Sequence, residues 1–319
     1  MFGLSGEGSP YKDFFLAVAV ISIVLIAVAM NAVLGALGAV FVPLPVLYYY
    51  SRLGRLHGLL AFALSLTITM ITLRTLDSQA GVVYFFFLGS LGLILSEVLR
   101  KNWSIEKTIV YSMGILLTLS VVILLYLSLV SGKEPWGLIG THMSSIVQEN
   151  IDLYSRTGVS NQYIQLMKEN AERITRVMTG LLPSLIIVGA GFFIWLNILG
   201  GKWLFRNRGM WYPDFGDLSL WKTLDKTVWL VVIAGGCIVV PSELSRILGL
   251  NIAIVLLFIY MLQGLAIISF FFKRKNVPGI LRALGYFLIF AQQFLIFIVA
   301  GLGLIDTWAD FRKLGTKSD

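Results

Sequence analysis

Apolar residues run along this chain in long blocks separated by short polar loops. A helix needs about 20 mostly apolar residues to cross a bilayer. Such blocks fall at Phe14–Leu34, Gly58–Leu76, Gly81–Leu99, Thr108–Ser131, Gly180–Gly200, Thr227–Pro241, Leu248–Phe272 and Gly279–Ile305. A shorter block, Gly35–Tyr50, carries Pro43 and Pro45. Two prolines so close cannot both lie inside a regular helix, because each removes a backbone donor. That block is expected as a half-helix, a re-entrant piece or a short kinked span. The pattern predicts an all-α, polytopic transmembrane bundle of about eight to nine membrane segments, one of them broken by proline.

One long polar stretch interrupts the blocks, residues 132–179. It reads as two amphipathic helices around the sequence SRTGVSN, and in the second Ile164, Met167, Ala171, Ile174 and Met178 recur at helical spacing. The insert is expected either as a hairpin lying on the membrane surface or as a lid over a cavity. The chain thus divides into N-terminal membrane helices at 1–131, the insert at 132–179, and C-terminal membrane helices at 180–319 with a polar loop at 201–226.

Composition agrees with lipid as the main solvent. The 319 residues are 57% hydrophobic and 13% charged, with mean hydropathy +0.85; soluble domains carry roughly 25% charged residues. The net charge of +8 resides in short loops, which is the pattern that orients membrane proteins rather than one that grips nucleic acid. Arg52 and Arg55, Arg100 to Lys107, Lys202 to Lys226, and Lys273 to Lys275 mark four basic loops. These are expected in the cytoplasm, which places the insert outside. Alternation then puts the C-terminus outside as well, against the pull of Arg312, Lys313 and Lys317. The start, MFGLSGEGSPYKD, lacks the basic region and cleavage site of a signal peptide, so the first block is expected as a retained helix.

Polar side chains at membrane depth carry the functional question, because hydrocarbon satisfies none of them. Gln263 lies in the penultimate block and Gln292 and Gln293 in the last. Either these amides bond one another and hold two helices together, or with Asn251 they line a pocket for a small polar ligand. Ser65, Thr69 and Thr72 are expected to bond back to their own helix. The tryptophans and the Tyr48–Tyr50 run are expected as interfacial anchors.

Catalytic motifs are missing. There is one cysteine, Cys237, and His57 and His142 stand alone, so no metal-ligand spacing exists. There is no phosphate-binding loop, no H-E-x-x-H and no G-x-S-x-G. The stretch GLGLIDTWADFRK, Gly301 to Lys313, places Asp306 two residues too late for the G-x-G-D of intramembrane aspartyl proteases. Beyond Asp306 the residues Trp308, Phe311 and Leu314 recur every three, with Asp310, Arg312 and Lys313 between them. This predicts a short interfacial helix N-capped by Asp306. Asp306, Trp308, Asp310 and Arg312 become candidates for docking a partner or a headgroup. No catalytic residue, metal or cofactor is expected.

The stretches GLGLIDTWADFRK, LNIAIVLLFIYMLQGLAIISFFFKRK (with Asn251, Gln263 and Gly264), LLPSLIIVGAGFFIWLN and VPLPVLYY resemble the YybS-like family of uncharacterised bacterial membrane proteins. The loop WYPDFGDLSLWKTLD departs from it by lacking a proline after Trp221. The resemblance implies a distant likeness to substrate-binding subunits of ECF transporters and to MreD cell-shape proteins. ECF subunits couple through small residues spaced four apart on their first helix, a spacing that Ala32 and Ala36 match once. The expected function is a non-catalytic component of the bacterial inner membrane, in contact with the lipid bilayer and binding a small-molecule or lipid ligand. The alternative is an MreD-like envelope scaffold that recruits membrane partner proteins through cytoplasmic loops.

Overall fold

A computed structural model describes residues 10–30, 35, 38–76, 81–157 and 160–313. Ala32, Ala36, the start of the chain, the loop at 77–80, part of SRTGVSN, and Leu314, Lys317 and Asp319 lie outside the described residues. Every regular element among the described residues is helical. In chain order these are α1 (Pro10–Met30), α2 (Pro43–Leu53), α3 (Arg55–Thr75), α4 (Val82–Leu99), α5 (Ile105–Ser131), α6 (Pro135–Arg156), α7 (Asn161–Glu169), α8 (Ala171–Asn207), α9 (Val228–Val239), α10 (Glu243–Arg274), α11 (Gly279–Ala291) and α12 (Gln293–Ala309). Among the described residues five helices are long and apolar enough to cross a membrane, or six if the bent pair α11–α12 counts as one span. Among the described residues α2 and α9 are too short to cross a bilayer alone, with 11 and 12 residues.

The helices group into two compact units, Met1–Val122 with Ala190–Phe215, and Ile123–Gly189 with Gly216–Asp319. In the first, α1 packs on α3 and the Pro-initiated α2 packs on α4. Pro43 and Pro45 occupy the first turn of α2, where a missing N–H costs nothing. Asn197 donates from Nδ2 to the Val40 carbonyl at 2.8 Å, tying down the chain just before α2. Tyr48, Tyr49 and Tyr50 are buried at 8% exposure each. They are core residues rather than anchors: Tyr48 meets Phe205 edge-on and Tyr50 Oη donates to Glu97. Ser65, Thr69 and Thr72 bond to carbonyls four residues back, as expected.

In the second unit α10 is the central helix, flanked by α9 and α12. It has 32 residues, about 48 Å at 1.5 Å per residue, and so outruns a hydrocarbon core of about 30 Å. Its approach to α12 is set by two glycines. A Cβ on Gly264 would lie 2.0 Å from the Val299 carbonyl oxygen, and one on Gly303 would lie 2.0 Å from that of Tyr260. The apolar stripe of the insert is spent on a local core: Ile164, Met167, Ala171 and Ile174 pack against Val147 and Ile151 of α6. Met178, the last residue of that stripe, stays 40% exposed, as do Tyr163 and Leu166 on the same hairpin at 67% and 49%.

The last apolar block is not one helix. It breaks at Gln292, and α11 and α12 meet at 106°. The chain also stops being helical sooner than expected. Asp306 lies inside α12 rather than capping a new helix, and Asp310 adopts a left-handed conformation (φ 40°, ψ 56°) that ends it. Phe311 N–H then returns to Asp306 Oδ1 at 2.9 Å, and Arg312 reaches the carbonyls of Ser219 and Trp221. The described end of the chain therefore shares a side with the loop before α9. Alternation, which put the C-terminus outside, had set it apart from this loop, which was expected in the cytoplasm. α11 sets Tyr286 against Phe272 near the end of α10, and α12 returns Asp306 to Gln263 of the same helix.

Candidate functional site

The polar groups of the second unit converge on one buried cluster. Gln263 is fully buried on α10 and uses both ends of its amide. Nε2 donates to Asp306 Oδ2 at 3.2 Å, and Oε1 accepts from the Thr223 backbone N–H at 3.1 Å. Arg312 Nη2 pairs with the same Asp306 oxygen at 2.7 Å, with both side chains at 0% exposure. Arg312 Nη1 donates to the Ser219 and Trp221 carbonyls at 2.9 and 2.8 Å. A guanidinium presents its donors as a planar fork, and here the fork reaches a carboxylate and a loop backbone at once. An outer contact continues the cluster: Lys273 Nζ bonds Asp217 Oδ1, and the Ser219 hydroxyl donates to that oxygen at 2.7 Å. Lys273, followed by Ser219, lowers the Asp217 carboxyl to about 2.

The amides expected together are therefore apart. Gln263 bonds Asp306 and Thr223, while Gln292 and Gln293 stand exposed at the α11–α12 break. Asn251 has a different task. Pro183 sits inside α8 and interrupts its backbone ladder. Asn251 Nδ2 donates to the Gly180 carbonyl at 2.8 Å and Oδ1 accepts from Ser184 N–H at 3.0 Å. These are the two groups an unbroken helix would pair with each other. Of the docking candidates, Asp306 and Arg312 are internal, Trp308 is 68% exposed, and Asp310 forms the left-handed stop.

The first unit holds a second polar site that the sequence did not single out. Glu97 at the end of α4 accepts from Arg55 Nη2 at 2.6 Å and Nε at 3.0 Å, and from Tyr50 Oη at 2.9 Å. Arg100 lies 3.6 Å from the same carboxylate, with its guanidinium 5.6 Å from the Tyr50 ring centre. Beside it a small pocket is lined by Ser51, Ser96, Arg100, Phe205, Trp211 and Tyr212, among others. Tyr212 Oη donates to the Ile198 carbonyl at 2.7 Å, and burial pushes that hydroxyl well above its ordinary range. The only sequence signal for this site was basic residues recurring at the block ends; what joins them is contact between distant loops.

A family described as "Predicted membrane protein (DUF2232)" matches residues 19–307. The chain belongs to that family. The "Uncharacterized protein YybS" of Bacillus subtilis (strain 168), to which the chain is similar, is 22% identical over 309 residues, covering 93% of this chain and 96% of that protein. No solved structure matches. Membership of the DUF2232 family and the apolar helices together make this a multi-pass membrane protein. The family match takes in Asn251, Gln263 and Asp306 and stops short of Arg312.

Proposed function

We propose that the protein works in the bacterial cytoplasmic membrane by binding rather than by chemistry, and that it binds an amphiphile at its basic face rather than a small polar solute between its helices. The observation that carries this reading is the fate of the amides. Gln263 and Asn251 have their polar atoms committed to protein partners, so neither has an amide group left for a solute. The pocket beside Arg100 combines a cation, hydroxyls and aromatic rings, which suits a molecule that is polar at one end and apolar at the other. The buried carboxylate Asp306 also has both oxygens engaged, by Phe311, Gln263 and Arg312, which argues against its use as a general base.

Native mass spectrometry of the protein purified in a mild detergent tests this reading. A retained lipid-sized adduct supports it; a retained water-soluble metabolite, or no adduct at all, overturns it. The envelope-scaffold alternative is favoured by one observation: Arg312 and Lys273 fix the shape of the polar loop at 217–223 from beneath, as a partner-docking surface requires. Capture of a defined protein partner that is lost when this loop is altered, from a preparation without bound lipid, decides for the scaffold.

A further inference from the structure

We infer that the pocket beside Arg100 holds the phosphate of an anionic amphiphile, an inference that rests on the amphiphile reading above. Three observations meet there. The first is donor chemistry. Arg100 is about one-fifth exposed at 22% and is held in place by Glu97 and the Tyr50 ring, and a guanidinium fork matches phosphate oxygens. Ser51 and Ser96 bond each other through their hydroxyl oxygens. One hydrogen bond between two hydroxyls consumes one of their two protons, so a second O–H remains at the pocket wall.

The second observation is shape. Leu99, Phe205 and Met210 supply an apolar wall and Trp211, 48% exposed, stands at the rim. An indole at headgroup depth can lie along a glycerol backbone while the acyl chains stay in lipid. The third is the field. Across this end of the unit, at 12–13, 52–57, 97–107 and 202–214, nine Lys and Arg stand against four Asp and Glu. Basic pockets between membrane helices on the cytoplasmic side recruit anionic headgroups, at about 1 kcal/mol per basic residue near the surface. A zwitterionic headgroup gains little from such a field.

The test is a set of melting curves of the full chain in neutral detergent, titrated with phosphatidylglycerol, phosphatidylcholine or glycerol 1-phosphate. Phosphatidylglycerol is expected to raise the melting temperature more than phosphatidylcholine does. Arg100→Gln should raise its half-saturating concentration by about fivefold. Arg74→Gln, at the far end of α3 and outside both the pocket lining and the basic positions counted above, should leave it nearly unchanged, and Arg100→Lys should fall between. If Arg100→Gln does not fold, Trp211→Ala carries the test, with weakened binding expected. Equal shifts by the two lipids, an unaffected Arg100→Gln or Trp211→Ala, or an equal loss in Arg74→Gln overturns the assignment. Saturation by glycerol 1-phosphate alone keeps the phosphate site and makes a soluble phosphate ester its occupant. A lipid retained in native mass spectra but indifferent to Arg100 leaves the amphiphile reading standing and removes this one.

Discussion

Arg312 and Asp306 form an ion pair of 2.7 Å in which neither side chain touches solvent, across a helix end that reverses at Asp310. Breaking such a pair from one side leaves a charge buried without compensation, which costs about 3–5 kcal/mol. Arg312→Gln is therefore expected to destabilise the second unit strongly. Adding Asp306→Asn should recover part of the loss, because the stranded charge is removed. Chemical denaturation of the two single variants and the double variant measures this; a double variant as unstable as the sum of the singles would show the residues to be uncoupled.

The Asn251 amide bridges the gap that Pro183 opens in α8. Asn251→Leu should cost about 1–3 kcal/mol, the usual penalty for buried polar groups left unpaired. The same substitution in a Pro183→Ala background should cost less, since Gly180 and Ser184 can then pair directly. Equal losses in both backgrounds, read from melting curves, would mean that Asn251 does something other than repair this helix.

How much of this was legible in the chain depends on the kind of signal. The long apolar blocks announced the helices, and Pro43 and Pro45 announced a short α2, because length and missing donors are local properties. Gln263 announced a buried bond by its polarity but not its partner. Asp306 looked like a cap because Trp308, Phe311 and Leu314 continue a helical spacing, and nothing local required Asp310 to turn left-handed. The turn is fixed by Arg312 bonding to Ser219 and Trp221, some 90 residues away. The break at Gln292 was hidden for the opposite reason: hydropathy runs through it and no proline or glycine stands at the bend. Tyr48–Tyr50 misled because an aromatic run reads alike at an interface and in a core.

Gly301 and Gly303 share one helix and differ in what they face. A Cβ on Gly303 would strike the Tyr260 carbonyl at 2.0 Å, whereas one on Gly301 meets nothing within 4 Å. Gly303→Ala must push α12 off α10 and is expected to lose about 1–3 kcal/mol or more. Gly301→Ala should be neutral or slightly stabilising, since alanine is the better helix former. Melting temperatures of the two variants compared side by side give the answer, and similar values for both would refute the close approach.

Asp217 gives the loop a pH dependence with a definite sign. Lys273 lowers its carboxyl to about 2, against an ordinary value of about 3.9. The folded state thus binds fewer protons, and this contribution is fully present above about pH 4 and is lost as pH falls through about 2. The carboxylate is 43% exposed, so the effect stays at the scale of surface pairs, under about 1 kcal/mol. Melting curves between pH 2 and 5 should show a steeper acid loss in the wild type than in Asp217→Asn; parallel curves would mean that the Lys273 contact adds nothing.

The side of the C-terminus follows from the contacts of Arg312. Its guanidinium bonds the carbonyls of Ser219 and Trp221, and Lys273 bonds Asp217 of the same loop. The loop at 216–223, the basic end of α10 and the last described residues therefore lie together. If the bent pair is a re-entrant loop rather than a broken span, α11 and α12 turn back at the 106° bend at Gln292 and the chain finishes on the side it entered after Lys275. Arg312 and Lys313 then join Lys273, Arg274 and Lys275 on one side, and the charge rule that alternation had violated is met. A reporter that is active only in the cytoplasm, fused after the last residue, is expected to be active. A second reporter, active only outside and inserted near Asp225 in the loop of the same unit, is expected to be silent. Opposite locations for the two positions would break the link between the chain end and the loop, and the buried Asp306–Arg312 pair would fall with it.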